Sequence, residues 1–187
     1  HLLGCEVVPN HDEHTGILER EPEPLPANLE KLCEQVVQHG CDLGFAQDPD
    51  GDRLVIVDQQ GKALPEDLTT ALAVEQVLSA HEKGPVVVNQ AMSMVVEDIA
   101  RAHDCPAVRT RIGEINVSEA MTDLKAVVGG EPNGGVMIPA IHPCRDSFAW
   151  MAIELELLAE TKKTIGEIRK AWPEYVTVMS KFTSRSD

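Results

Sequence analysis

The sequence predicts an α/β protein of layered mixed sheets covered by helices, and three observations carry that prediction. Short apolar runs rich in valine and isoleucine (Leu54-Val55-Ile56-Val57, Val86-Val87-Val88, Ala126-Val127-Val128) recur along the chain. Between them lie stretches whose apolar residues are spaced three and four apart, and glycine or proline punctuates most junctions. Continuous apolar runs suit strands covered on both faces, and helical stripes suit the layers that cover them.

In chain order, Cys5 to Pro9 reads as a short strand entering a polar loop, Asn10 to Pro26. That loop holds His11-Asp12-Glu13-His14, which are metal-ligand types, but a loop presents no fixed face and no further ligand follows nearby. From Asn28 the spacing of Leu29, Leu32, Cys33, Val36 and Val37 predicts a helix capped by Asn28 and stopped by Gly40. Cys41 to Ala46 and Leu54 to Val57 read as buried strands, with Asp58 to Gly61 as a turn.

Pro65 to His81 reads as a long helix halted by Gly84-Pro85 before the strand Val86 to Val88. A helix over Met94 to His103, with Ser93 as cap, precedes a strand ending at Thr110. Glu114 to Met121 is a further helix, and the strands Ala126 to Val128 and Val136 to Ile138 flank a glycine-rich loop. Helices over Ser147 to Glu160 and Ile165 to Trp172 follow, then an extended piece at Tyr175 to Val178. A domain boundary is expected near Asp58 to Gly61, and Arg145-Asp146 reads as a local ion pair.

Charge and cysteine usage restrict the partners. A net charge of −15 argues against nucleic acid or an anionic membrane as a binding surface. No apolar run is long enough to cross a bilayer, and the opening residues do not resemble a secretory signal, so a soluble protein is expected. Five cysteines without a CxxC pair predict reduced thiols and a cytoplasmic location. The start at His1-Leu2-Leu3-Gly4-Cys5, without Met, reads as a fragment opened inside a domain.

The strongest chemical signal is Gln47-Asp48-Pro49-Asp50-Gly51-Asp52-Arg53, with carboxylates at alternate positions between two strands. Like charges so close repel unless a cation sits among them. An EF-hand loop would need glycine at its sixth position and glutamate at its twelfth, where this chain has Arg53 and Gln59. Its flanks would also be helices. Asp48, Asp50 and Asp52 therefore read as ligands of Mg²⁺, which takes a few protein oxygens and leaves positions for water or phosphate. Arg53 beside them can hold a phosphate oxygen.

Two further loops are candidates. In Gly130-Glu131-Pro132-Asn133-Gly134-Gly135 the glycines permit close backbone approach, while Glu131 and Asn133 can bond vicinal hydroxyls of a sugar. Arg109-Thr110-Arg111-Ile112-Gly113-Glu114 sets cations and a hydroxyl ahead of a helix start, where anions are favoured.

Taken in order, Asp48 to Arg53, Arg109 to Glu114 and Gly130 to Gly135 resemble the α-D-phosphohexomutase family of phosphoglucomutases, phosphomannomutases and phosphoglucosamine mutases. Leu3-Gly4-Cys5-Glu6-Val7 and the run from Pro22 to Leu29 also resemble the approach to that family's metal loop. The resemblance implies a four-domain, Mg²⁺-dependent enzyme that interconverts hexose 1-phosphate and hexose 6-phosphate. A phosphoserine of the first domain gives up its phosphoryl group, and a bisphosphate intermediate returns the other one.

It further implies Asp48, Asp50 and Asp52 as metal ligands, Arg53 as phosphate support, Glu131 and Asn133 on the sugar-recognition loop, and Thr110 and Arg111 on the loop that distinguishes substrate orientations. Residues 1–58 would be the C-terminal part of domain 2, 59–172 domain 3, and 173–187 the start of a linker to a C-terminal domain. Many members carry serine and histidine where this chain has Asn133 and Gly135. No segment resembling the phosphoserine motif or the last domain's phosphate clamp is present, so the piece alone is expected to be inactive and to require other domains of the same protein. The alternatives are a non-catalytic, metal-dependent module that binds sugar phosphate and a structural domain with a solvated acidic loop.

Overall fold

The computed structural model describes residues 3–13 and 15–178. His14 of the histidine cluster and residues 179–187 of the expected linker lie outside the described residues.

A short 3₁₀ turn at Pro26–Asn28 leads into α1 (Glu30–His39). Asn28 does not cap this helix: its side-chain amide donates to the Glu23 carbonyl at 2.8 Å. Pro26 instead sets the turn through its fixed φ and missing N–H. Gly40, in the left-handed region at φ 63°, ends the helix as expected. The expected strand at Cys5–Pro9 does not form; a strand needs a ladder partner, and these residues have none among the described residues.

β1 (Leu43–Gln47) and β2 (Leu54–Asp58) form an antiparallel pair in which Gln47 lies opposite Leu54. The acidic loop is the connection between them, so the strand register fixes both of its ends. β2 is buried along its whole length and its two faces serve different cores. Val55 and Val57 pack with Leu29 and Val36 of the α1 region, whereas Leu54 and Ile56 join the main core.

That main core is built by α2 (Glu66–Gln76, continued by a π turn at Val77–His81), β3 (Val86–Asn89), α3 (Val95–Ala102), β5 (Val128–Gly130), α5 (Ser147–Thr161) and α6 (Ile165–Arg169). With β4 (Ala107–Thr110) and β6 (Val136–Met137), the second sheet runs β4-β3-β5-β6. β3 is parallel to β4 and β5, and β6 closes the edge antiparallel to β5. α4 (Glu114–Leu124) covers the opposite face, where Val117 and Met121 meet Val87 and Met137. Helices on both faces of a mixed sheet are the layering expected from the sequence.

One ionisable group lies inside the main layer. Glu154 of α5 is 0% exposed, and neither of its carboxylate oxygens has a hydrogen-bond partner. Burial pushes this carboxyl up to about 8.

Candidate metal and sugar-phosphate site

The acidic loop folds over its own backbone. Asp48 is buried, and its Oδ1 accepts the backbone N–H groups of Asp52 and Arg53, each at 3.1 Å. These bonds close the loop and turn Asp50 and Asp52 back toward Asp48. One oxygen from each of the three carboxylates then lies within 4.8 Å of the others. Oδ2 of Asp48 and Oδ1 of Asp52 are buried without a hydrogen bond. Both oxygens lie against Arg53 Nε, at 2.8 and 3.6 Å. Three carboxylates gathered this closely suit a hard divalent cation, and the set leaves room for further oxygen ligands.

The charges are unevenly held. Burial acts to raise the Asp48 carboxyl, but the Arg53 backbone N–H, the Asp52 side chain, the Arg53 charge and the Asp50 side chain outweigh it and keep the group below its ordinary value. Asp52 is pushed up, first by burial and then by Asp48 and Asp50, against the opposing charge of Arg145. A cation entering this cluster would relieve the repulsion among the three carboxylates.

Arg53 lies beside the carboxylates. Its Nε is 2.8 Å from Asp48 Oδ2, without hydrogen-bond alignment, and its Nη1 donates to Glu23 at 2.8 Å.

The glycine-rich loop packs directly against the acidic one. Gly134 has φ 80°, and a Cβ there would overlap the Leu54 carbonyl, so only glycine fits. Its own carbonyl accepts the Leu54 N–H at 3.1 Å, joining the loop to the first residue of β2. Glu131 is buried: Oε1 accepts from Asn89 Nδ2 at 2.8 Å and from the Gly113 N–H at 3.2 Å. Asn133 Oδ1 accepts the Gly135 N–H at 3.2 Å and shapes the turn.

The structure thus brings Asp48, Asp50, Asp52 and Arg53 together and sets the Glu131 and Asn133 loop beside them. Thr110 ends β4 opposite Asn89, the partner of Glu131, but its hydroxyl donates to the Arg111 carbonyl at 2.9 Å. Arg111 is exposed and has no ion pair among the described residues.

Arg145 is the residue sequence reading mistook. It does not pair with Asp146, whose carboxylate caps α5 by accepting the Phe148 and Ala149 N–H groups at 3.0 Å. The Arg145 guanidinium instead reaches Asp52 at 2.5 Å, Glu114 at 3.1 Å and Glu131 at 3.6 Å. Ser147, also missed, donates to the Gly51 carbonyl at 2.5 Å and accepts from Gln47 Nε2 at 2.6 Å. No local pattern announces either residue, because their partners lie far away in the chain.

Known proteins resemble this chain along nearly its whole length. The family models for phosphoglucomutase/phosphomannomutase α/β/α domain II and domain III match residues 1–61 and 65–175. A Methanopyrus kandleri protein named "Probable phosphoglucosamine mutase" is 37% identical over 180 residues, covering 94% of this chain and 39% of that protein. A Thermococcus kodakarensis protein named phosphoglucomutase/phosphomannomutase is 34% identical, covering 96% of this chain and 40% of its own length. The crystal structure of a phosphoglucomutase/phosphomannomutase family protein from Burkholderia thailandensis has the same fold over 83% of this chain and 34% of its own, with a TM-score of 0.74 at 24% identity. The chain therefore spans about two fifths of the length of these curated relatives. With both domain models matched in order and the acidic and glycine-rich loops meeting between them, the chain belongs to the α-D-phosphohexomutase family.

Proposed function

We propose that this chain supplies the metal loop and the sugar-recognition loop of a Mg²⁺-dependent phosphohexomutase, which interconverts hexose 1-phosphate and hexose 6-phosphate. The observation that carries the reading is that one carboxylate oxygen from each of Asp48, Asp50 and Asp52 lies within 4.8 Å of the others, with Arg53 beside them.

In this reading Asp48, Asp50 and Asp52 hold the ion, with residues 1–58 as the latter part of domain 2 and 59–172 as domain 3. Bound Mg²⁺ would supply positive charge against a phosphoryl group in transfer. Arg53 would exchange Glu23 for a phosphate oxygen, a swap between two anions of similar geometry. Glu131 and Asn133 would accept and donate to sugar hydroxyls, and Arg111, exposed at the end of β4, would receive the distal phosphate. The phosphoserine and the bisphosphate intermediate belong to the whole enzyme, whose remaining domains bring the serine. Five cysteines, all free, support a cytoplasmic setting, and no helix among the described residues is long and apolar enough to cross a membrane.

The test is an assay of the intact protein with the 1-phosphates of glucose, mannose and glucosamine in the presence of Mg²⁺. Formation of a 6-phosphate from at least one of them is expected. No conversion of any of the three would overturn the reading.

A further inference from the structure

The geometry points to Arg145 as a positioning residue that makes cation binding at the acidic loop and anionic ligand binding at the glycine-rich loop interdependent. This inference rests on the metal and sugar-phosphate reading above. Three carboxylates from three segments, Asp52, Glu114 and Glu131, converge on one guanidinium. Its Nη2 serves both Asp52 and Glu114, its Nη1 faces Glu131, and its Nε is buried without a partner. One positive charge is thus shared among three negative ones, and any change in the demand of one carboxylate redistributes the rest.

The path of the side chain is fixed as well as its charge. A Cβ at Gly135 would overlap Arg145 Cδ and come within 3.1 Å of Cγ. Gly135 is therefore the floor over which the Arg145 stem crosses from the segment ahead of α5 to the acidic loop. The backbone beneath is anchored independently, since Asp146 N–H donates to the Val136 carbonyl at 3.1 Å and the Ser147 hydroxyl donates to Gly51. The segment ahead of α5 consequently touches both loops at once, and Arg145 offers both a charge.

The direction of the coupling follows from the electrostatics. A divalent cation on Asp52 neutralises that carboxylate and repels the guanidinium, which frees positive charge toward Glu131 and toward an anionic group arriving there. Conversely, an anion that draws Arg145 away leaves Asp52 less neutralised and a better cation ligand. Each ligand strengthens the other, and linkage requires the two effects to be equal.

The experiment is a Mn²⁺ titration of the intact protein, free Mn²⁺ being read by electron paramagnetic resonance, with and without glucose 1-phosphate. In the unsubstituted protein the sugar phosphate is expected to tighten Mn²⁺ binding by about fivefold or more. In Arg145→Met, and separately in Gly135→Ala, the effect is expected to fall below about twofold, with Arg145→Lys recovering part of it. Gly135→Ala displaces the arginine without removing it, and carries the test should Arg145→Met fail to fold. Full coupling in a folded Arg145→Met or in Gly135→Ala would overturn the inference and leave the metal reading intact, as would Mn²⁺ binding without coupling in the unsubstituted protein. Absence of Mn²⁺ binding in the unsubstituted protein would overturn both.

Discussion

Gln47 and Ser147 meet at 2.6 Å across the seam between the β1–β2 pair and α5, and the same serine hydroxyl reaches the Gly51 carbonyl at 2.5 Å. A loop of mutually repelling carboxylates is thereby fastened by a neutral group at its tip. Ser147→Ala leaves a part-buried acceptor and a part-buried donor unpaired, so a loss of about 1 kcal/mol in urea unfolding is expected. Stability unchanged within error would show that this contact does not restrain the loop.

β2 predicts joint unfolding. Ile56 faces the main core and Val57 faces the α1 core, yet both sit on one strand. Ile56→Ala is expected to cost about 2–5 kcal/mol and to lower a single transition, because removing a buried side chain leaves a cavity that the strand transmits to both sides. Two separated transitions in the circular dichroism melt would mean that the cores unfold independently.

Much of this architecture is legible in local pattern. The valine run of β3 and the apolar stripe of α3 state their own burial, whereas Val37 of the α1 stripe is exposed, and Gly40 marks a helix end because it must adopt a positive φ. The acidic triad is legible because its spacing has no structural motive. Arg145 and Ser147 are not legible, since each owes its role to residues brought near only by the packing of α5. Cys5 to Pro9 looked like a strand by composition, but composition does not supply a ladder partner.

Glu154 makes stability pH-dependent. Its carboxyl is pushed up to about 8 by burial, against an ordinary value of 4.5. The folded state therefore holds the proton more tightly than the unfolded chain does. Its contribution to stability is fully present below the unfolded value and is lost as pH rises through the folded one. Glu154→Gln should flatten this slope between pH 5 and 8 in urea melts. Glu154→Leu should add about 1–3 kcal/mol at neutral pH by removing an unpaired polar group. A pH slope surviving in Glu154→Gln would assign it to other groups.

Gly134 should tolerate no side chain. With φ 80° and the Leu54 backbone in the space of a Cβ, Gly134→Ala is expected to destabilise by about 1–3 kcal/mol. It should also disturb the Leu54 amide resonance, whose N–H bonds to the Gly134 carbonyl. An unshifted Leu54 amide would contradict the proposed join between the two loops.

The central claim is that Asp48, Asp50 and Asp52 form the metal site of a phosphohexomutase, and Asp50 offers its cleanest test because it is the exposed member of the triad. The measurement is Mg²⁺-dependent hexose-phosphate turnover by the intact protein carrying Asp50→Ala, with its melting temperature recorded alongside. Lost turnover at an unchanged melting temperature is expected. Normal turnover in that variant would contradict the claim.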